Sequence, residues 1–268
     1  MQWFAYLIWG GLGLCVLLAA ALILYQRFYP QQDVSSVEVE TGAVETGIAS
    51  FLVPPQRRKR LIDVFELHSL SLPQDDEDFC LWAEDMLGVQ RTWLLGEDCP
   101  MFPLLTFHNR IAESFGFFRA LRQSYKTVRL YVVRPEGIQL DEELFDACAV
   151  LCFAVAVEEQ GQQLWRYYPM NVYWEWGYAP ERIQCSQMIY IASRAKFDVV
   201  GLELEQGDLF DLLEGRRIPK GLLHAAAGSW DPLPLASAGE VVPGCDAFLL
   251  SPQELDERLK QEDWIKPV

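Results

Sequence analysis

Residues capable of nucleophilic chemistry are scattered along the sequence. Its histidines are His68, His108 and His224. Cys99 with His108, or Cys245 with His224, has the composition of a thiol–imidazole pair, in which the base takes the proton of the attacking group. No G-x-S-x-G motif marks a serine nucleophile. A hydrolase that uses a Cys or Ser nucleophile with His108 or His224 stays an alternative, and the residues favour a function without catalysis.

One pair of cysteines has a spacing that could suit a metal site. Cys148 and Cys152 are four residues apart, which would place both thiols on one face of a helix. A zinc site needs about four ligands, and the next candidates, Cys185 and His224, have no spacing that would bring them to this pair. No phosphate-binding glycine motif is present either. We therefore predict neither a metal site nor a cofactor, and we expect the two cysteines to be small buried residues.

An aromatic segment is the most distinctive part of the chain outside its N-terminus. It runs from Trp165 to Tyr178, with the sequence WRYYPMNVYWEWGY. Tyrosine, tryptophan and arginine dominate the hot spots of protein interfaces. The segment therefore predicts a partner-binding surface made of Trp165, Arg166, Tyr167, Tyr168, Tyr173, Trp174, Trp176 and Tyr178.

The alternative for this segment is a strand whose alternate residues fill the core. Burial of Trp174 and Trp176, with Tyr173 and Glu175 on the opposite face, would separate core from surface. Both interpretations hold together if one face points inward and the other outward.

Composition and charge narrow the class of partner. The chain has 268 residues, and its 22 Lys and Arg against 38 Asp and Glu give a net charge of −16. An acidic protein lacks the basic face that nucleic acids require, so we predict no nucleic-acid partner. A negative domain instead favours a basic protein partner by steering its approach. With 51% hydrophobic residues, the chain can build a core.

The N-terminus predicts a membrane anchor. No charged residue interrupts the stretch from Trp3 to Tyr25, which is long enough as a helix to cross a hydrocarbon core of about 30 Å. Cleavage after Ala19-Ala20-Ala21 is the alternative. Small residues at Gly11, Cys15 and Ala19 lie four apart and would allow two such helices to associate.

Basic residues after the span indicate orientation and a membrane-facing surface. Arg27 lies just beyond Tyr25, which favours a cytoplasmic C-terminal domain under the positive-inside rule. Arg57, Arg58, Lys59 and Arg60 follow as a cluster. With Arg27, these cations predict contact with anionic headgroups. The alternative is a solvated flank of the folded domain.

The remaining patterns predict one α+β domain. We divide the chain into an anchor at residues 1–29, a linker at 30–54 and an acidic α+β domain at 55–268. Helices are predicted from the acidic run at Asp75, from Asp141 with apolar residues through Cys152, and from the capping pattern at Ser251. Strands are predicted at 127–134, 154–157, 164–168 and 197–204, with a hairpin turn at Gly161. Residues 188–191 fit either a strand or a helix.

These observations together predict a single-pass, membrane-anchored interaction protein. Its acidic domain would bind a protein partner, as an adaptor or an immunity-like protein does. Two alternatives remain: the hydrolase described above, tethered to the membrane, and a structural subunit of a membrane complex.

Overall fold

The computed structural model describes residues 52–141, 143, 147–224, 230–239, 245 and 249–264. The predicted anchor with its small-residue stripe, Arg27 and most of the predicted linker lie outside these residues. Among the helices that the structure describes, none combines the length and the apolar character needed to cross a membrane. The described residues form a mixed α/β domain built on a five-stranded sheet.

The strands of the sheet are β1 (Val128–Pro135), β2 (Cys148–Glu159), β3 (Gln162–Pro169), β4 (Trp174–Glu175) and β5 (Asp198–Leu204). Their order is β3-β2-β1-β5. Strand β2 pairs antiparallel with both β1 and β3, whereas β5 runs parallel to β1. The short β4 pairs with the first residues of β2. The strands predicted at 127–134, 154–157, 164–168 and 197–204 are confirmed.

A two-residue turn joins β2 to β3. Gln160 and Gly161 both have positive φ angles, of 50° and 80°. This backbone suits the twist of the flanking strands, and glycine adopts it without steric cost. The hairpin predicted at Gly161 is confirmed.

The helix predicted from Asp141 through Cys152 is wrong where it overlaps β2. Residues from Cys148 to Val155 are all buried in a strand. Cys148 and Cys152 do share a face, because residues four apart in a strand point the same way. Every position of this run is apolar or small, so its pattern fits a helix stripe as well as a central strand covered on both sides.

Helices cover both faces of the sheet. Tyr131 and Val133 of β1 pack into the core on the first face, and Leu130 and Val132 pack into the core on the second. The first face is covered by α1 (Pro55–Val64), α2 (Asp76–Leu87), α3 (Arg91–Leu94), α6 (Gln206–Leu213) and α7 (Lys220–Leu223).

In the described part of the chain, three helices cover the second face. These are α4 (Ile111–Ser124), α5 (Ala179–Arg194) and α8 (Pro252–Gln261). Residues 188–191 therefore belong to a helix, α5, in which Met188, Ile189 and Ile191 are buried. Phe118 of α4 packs edge-on against Phe153 of β2, with ring centroids 5.2 Å apart. Short turns of 3₁₀ helix at Leu67–Ser69 and Leu233–Leu235 complete the regular structure of the described residues.

Two helix starts follow the capping signals in the sequence. The Asp75 side chain accepts hydrogen bonds from the backbone N–H groups of Glu77 and Asp78 at the start of α2. At α8, Ser251 and Glu254 form a complete capping box. Each cap satisfies backbone donors that the first helical turn leaves free. The helix start predicted at the acidic run and the one predicted at Ser251 are both confirmed.

Candidate functional site

The aromatic segment is divided among three elements. Trp165, Arg166, Tyr167 and Tyr168 belong to β3, Trp174 belongs to β4, and Tyr178 lies immediately before α5. Both strands pair antiparallel with β2, and the aromatic rings of the segment point to different faces of the sheet. The structure separates them into buried, half-buried and exposed groups.

Three of the rings fill the core. Tyr167, Trp174 and Trp176 are buried, with at most 3% of each residue exposed. Trp174 Nε1 donates a hydrogen bond to Gln184 Oε1 at 3.3 Å. The Trp176 backbone N–H donates to Ala147 O at 2.8 Å. The predicted partner surface is corrected accordingly: these three rings are buried in the cores on the two faces of the sheet and are not presented to a partner.

Three further residues lie half-buried along β3. Arg129 stacks on Trp165, with the guanidinium carbon 4.8 Å from the ring centroid. Arg166 Nη1 donates to Asp85 O at 2.6 Å. Tyr168 meets Phe117 edge-on at 5.7 Å, and burial raises the pKa of its hydroxyl. These side chains are occupied by contacts within the domain.

Tyr173 and Tyr178 are the exposed aromatic residues of the segment, at 41% and 54%. The alternation predicted for this stretch is confirmed: Trp174 and Trp176 are buried, whereas Tyr173 and Glu175 are exposed. Tyr173 forms a hydrogen bond with the Cys148 thiol. Burial raises the pKa of this thiol, and the hydrogen bond offsets part of that increase. We call Tyr173, Glu175, Tyr178 and Glu181 the tyrosine surface.

The backbone beneath the tyrosine surface is held by several hydrogen bonds. Glu175 N donates to Glu181 Oε2 at 2.7 Å, and Arg182 Nη1 donates to Trp176 O at 2.7 Å. The turn between β4 and α5 is closed by a bond from Tyr178 N to Glu175 O at 3.3 Å. Hydrogen bonds within the domain thus hold the backbone that carries the tyrosine surface, without help from a partner.

The four cations at positions 57–60 lie in α1, and they make different contacts. Arg58 pairs with Asp76 at 2.9 Å and stacks on Phe79, and Lys59 pairs with Asp63 one turn later. Arg57 donates to the backbone carbonyl groups of Trp93 and Gly96. Arg60 is exposed, with its guanidinium carbon 5.9 Å from the Trp93 ring centroid. Of the five predicted membrane-surface cations, Arg58 and Lys59 therefore already have acidic partners within the domain.

A cleft of about 870 Å³ lies beside this helix. Arg57, Arg60 and Trp93 line one part of it, and Arg216 and Arg217, which follow α6, line another. This cleft was not predicted from the sequence. The spacing of Arg57 and Arg60 and the adjacent pair at 216–217 were visible in the sequence, but only the fold brings the two pairs to one cavity.

The histidines of the proposed catalytic alternative lie near carboxylates. His108 Nε2 is 3.6 Å from Glu181 Oε1, and His224 Nε2 is 3.9 Å from Glu66 Oε1. Both histidines are exposed. The carboxylates could orient the rings, yet within the described part of the chain no hydrogen bond joins either histidine to a cysteine or serine.

The cysteines are free thiols in the described residues. Cys80, Cys148, Cys152 and Cys185 are buried, and Cys99 and Cys245 are partly exposed. Burial raises the pKa of the Cys152 and Cys185 thiols. No group of three or more His, Cys, Asp or Glu side chains in the described ranges is placed to hold a metal ion.

Comparison with known proteins gives no match. No protein-family model matches the sequence, and neither a curated protein nor a solved structure matches the chain.

Proposed function

We propose that the chain is a single-pass, membrane-anchored interaction protein whose acidic domain binds a basic protein partner through the tyrosine surface. The observation that carries this proposal is the exposure of Tyr173 and Tyr178 on a hydrogen-bonded frame, beside two carboxylates. Such rings bring a large apolar area with a polar hydroxyl, and they lose little conformational freedom on binding. The uncharged stretch from Trp3 to Tyr25 supports the anchor.

Charge supports a basic partner. Glu175 and Glu181 lie on the tyrosine surface, and the whole chain has a net charge of −16. Complementary charge raises the rate of encounter and suppresses wrong partners. The bond from Glu175 N to Glu181 Oε2 uses one carboxylate oxygen of Glu181. The exposed Glu175 side chain is thus the best-placed acidic group to meet an incoming lysine or arginine.

Site-specific photocrosslinking of the full-length chain in its native membrane tests this proposal. A benzophenone amino acid at position 178 should give an adduct with one basic protein, identified by mass spectrometry. The matched control is the same amino acid at Phe210, an aromatic residue of α6 that is 43% exposed. Adducts of equal yield at the two positions would contradict the proposal.

A second set of variants separates binding from folding. Tyr178→Ala and Glu175→Gln should each weaken capture of the crosslinked protein, whereas Phe210→Ala should not. Because these side chains are exposed, their replacement should change the thermal midpoint little. Undiminished capture by both tyrosine-surface variants would exclude the site, even if a partner exists.

A further inference from the structure

The arginine-lined cleft contains positive charge that the domain leaves unpaired. Arg57 and Arg60 lie one turn apart on α1, and both guanidinium groups face the Trp93 ring, at 4.8 Å and 5.9 Å. Arg57 gives its bonds to backbone carbonyl groups. Among the residues that the structure describes, neither arginine forms an ion pair with a carboxylate.

The arginines on the other wall are paired. Arg216 Nε lies 2.6 Å from Glu214 Oε2, and Arg217 Nε lies 2.6 Å from Asp211 Oδ2. These pairs offset the charges of both carboxylates. Asp98 is the remaining acidic residue of the lining. Arg217 also pairs with Asp208, which lies outside the lining. Among the described lining residues, four arginines face three carboxylates, so the lining has one more positive than negative charge in a strongly acidic protein.

The wall that carries the paired arginines is fixed to the rest of the domain. Phe102 N donates a hydrogen bond to Gly215 O at 3.1 Å. Gly215 has a φ angle of 63°, and a β-carbon there would lie 2.7 Å from Leu104 Cδ2. The positive φ angle favours glycine at this position, which directly precedes Arg216. This wall of the cleft is thus held in place by contacts within the domain, without a ligand.

We propose that this cleft binds a phosphate group through Arg57 and Arg60, with Trp93 as its apolar wall. The planar guanidinium presents N–H donors in a fork that matches phosphate oxygens. The cavity volume is within the range of small-molecule sites. The same chemistry is offered by a soluble phosphorylated molecule and by the phosphomonoester headgroup of a lipid.

Titration with inorganic pyrophosphate tests the proposal on the full-length chain in nanodiscs of phosphatidylcholine. Arg60→Gln should weaken binding about tenfold, because it removes a charged donor without breaking a hydrogen bond of the domain. Lys59→Gln is the matched control: it removes the neighbouring cation, which pairs with Asp63, and should change the affinity by less than about twofold. Asp98→Asn should tighten binding, because it removes the opposing charge.

Two results would overturn the proposal: no binding of pyrophosphate by the parent chain, or equal weakening by Arg60→Gln and Lys59→Gln. Thermal midpoints of the variants establish that each is folded. The tyrosine-surface variant Tyr178→Ala should bind pyrophosphate normally, so this site can fail or succeed independently of the protein partner.

Nanodiscs of different lipid distinguish the two sources of phosphate. Discs with phosphatidic acid are compared with discs that contain the same fraction of phosphatidylserine, which controls for negative surface potential. Selective loss of pyrophosphate binding with phosphatidic acid identifies the lipid headgroup as the occupant. Equal binding in the two discs identifies a soluble phosphorylated ligand. Either result supports the phosphate site.

Discussion

Gly201 of β5 lies directly against Trp230. The two residues form an antiparallel bridge, and Trp230 Nε1 donates a hydrogen bond to Leu202 O at 3.1 Å. A β-carbon on Gly201 would lie 2.3 Å from Trp230 O and 2.8 Å from two carbons of its indole ring. Contacts this short require the backbone or the ring to move, so the position accepts only glycine without rearrangement.

Gly201→Ala should therefore destabilise the domain. Overpacking of this kind costs about 1–3 kcal/mol. Thermal unfolding of the full-length chain in detergent should show a lower midpoint than that of the parent. Gly116→Ala is the control, because a β-carbon at this exposed position of α4 meets nothing within 4 Å and alanine favours helix. Equal midpoints for the two variants would contradict the packing at Trp230.

Gln187 should contribute strongly to stability although it is polar. Its side chain is buried, and Nε2 donates to Ala238 O at 2.8 Å and to Leu250 O at 2.6 Å. Gln187→Leu leaves these groups without that partner in the interior, so we expect a loss of about 2 kcal/mol or more in the free energy of unfolding. Gln123→Leu, at an exposed site on α4, is the control. A Gln187→Leu variant as stable as the parent would show that these bonds do not form.

Thiol reactivity should follow burial. Cys152 and Cys185 lie in the core, and burial raises the pKa of both thiols, which keeps them protonated and inaccessible. Cys99 is partly exposed beside the cleft. Maleimide labelling of the native chain, followed by peptide mapping, should modify Cys99 and spare the two core cysteines until guanidinium chloride is added. Rapid native labelling of Cys185 would contradict the position of α5.

The ion pair between Arg119 and Glu262 predicts a pH dependence of stability. Hydrogen bonds from Arg119, including one from Nε at 2.8 Å, hold the pKa of Glu262 below its ordinary value of 4.5. The pair thus stabilises the fold above that ordinary value, and its contribution is lost as the pH falls through the lowered pKa.

Glu262→Gln should consequently lower the thermal midpoint near about pH 7, and its difference from the parent should shrink toward about pH 3. Glu257→Gln, at an exposed position of α8, controls for the general loss of one negative charge. A difference between Glu262→Gln and the parent that stayed constant with pH would show that the ion pair does not act in solution.

Local signals in the sequence predicted the elements that local chemistry determines. The acidic run at Asp75 and the glycine at position 88 mark both ends of α2, and Ser251 with Glu254 marks the start of α8. For β2, the local pattern of apolar residues did not distinguish a strand from a helix. Its residues are apolar on both faces because helices cover the sheet on both sides, and that layering is a property of the whole domain.

The two candidate sites differ in the same way. For the aromatic segment, alternation could separate the exposed Tyr173 and Glu175 from the buried Trp174 and Trp176, but it did not show that Tyr167 is buried as well. The cleft could not be found, because Arg60 and Arg216 are far apart in the chain and no short motif joins them. Their proximity arises from the packing of α1 and α6 on one face of the sheet.

The bridge between Trp230 and Gly201 also covers β5, which is an edge strand of the sheet. A strand at an open margin offers backbone groups to which another molecule can add its own strand, which is a route to aggregates. Here the indole covers the middle of β5, and its N–H is already bonded to Leu202 O. A second molecule would have to displace Trp230 before its own strand could pair with β5. This edge of the sheet is therefore protected against aggregation by strand addition.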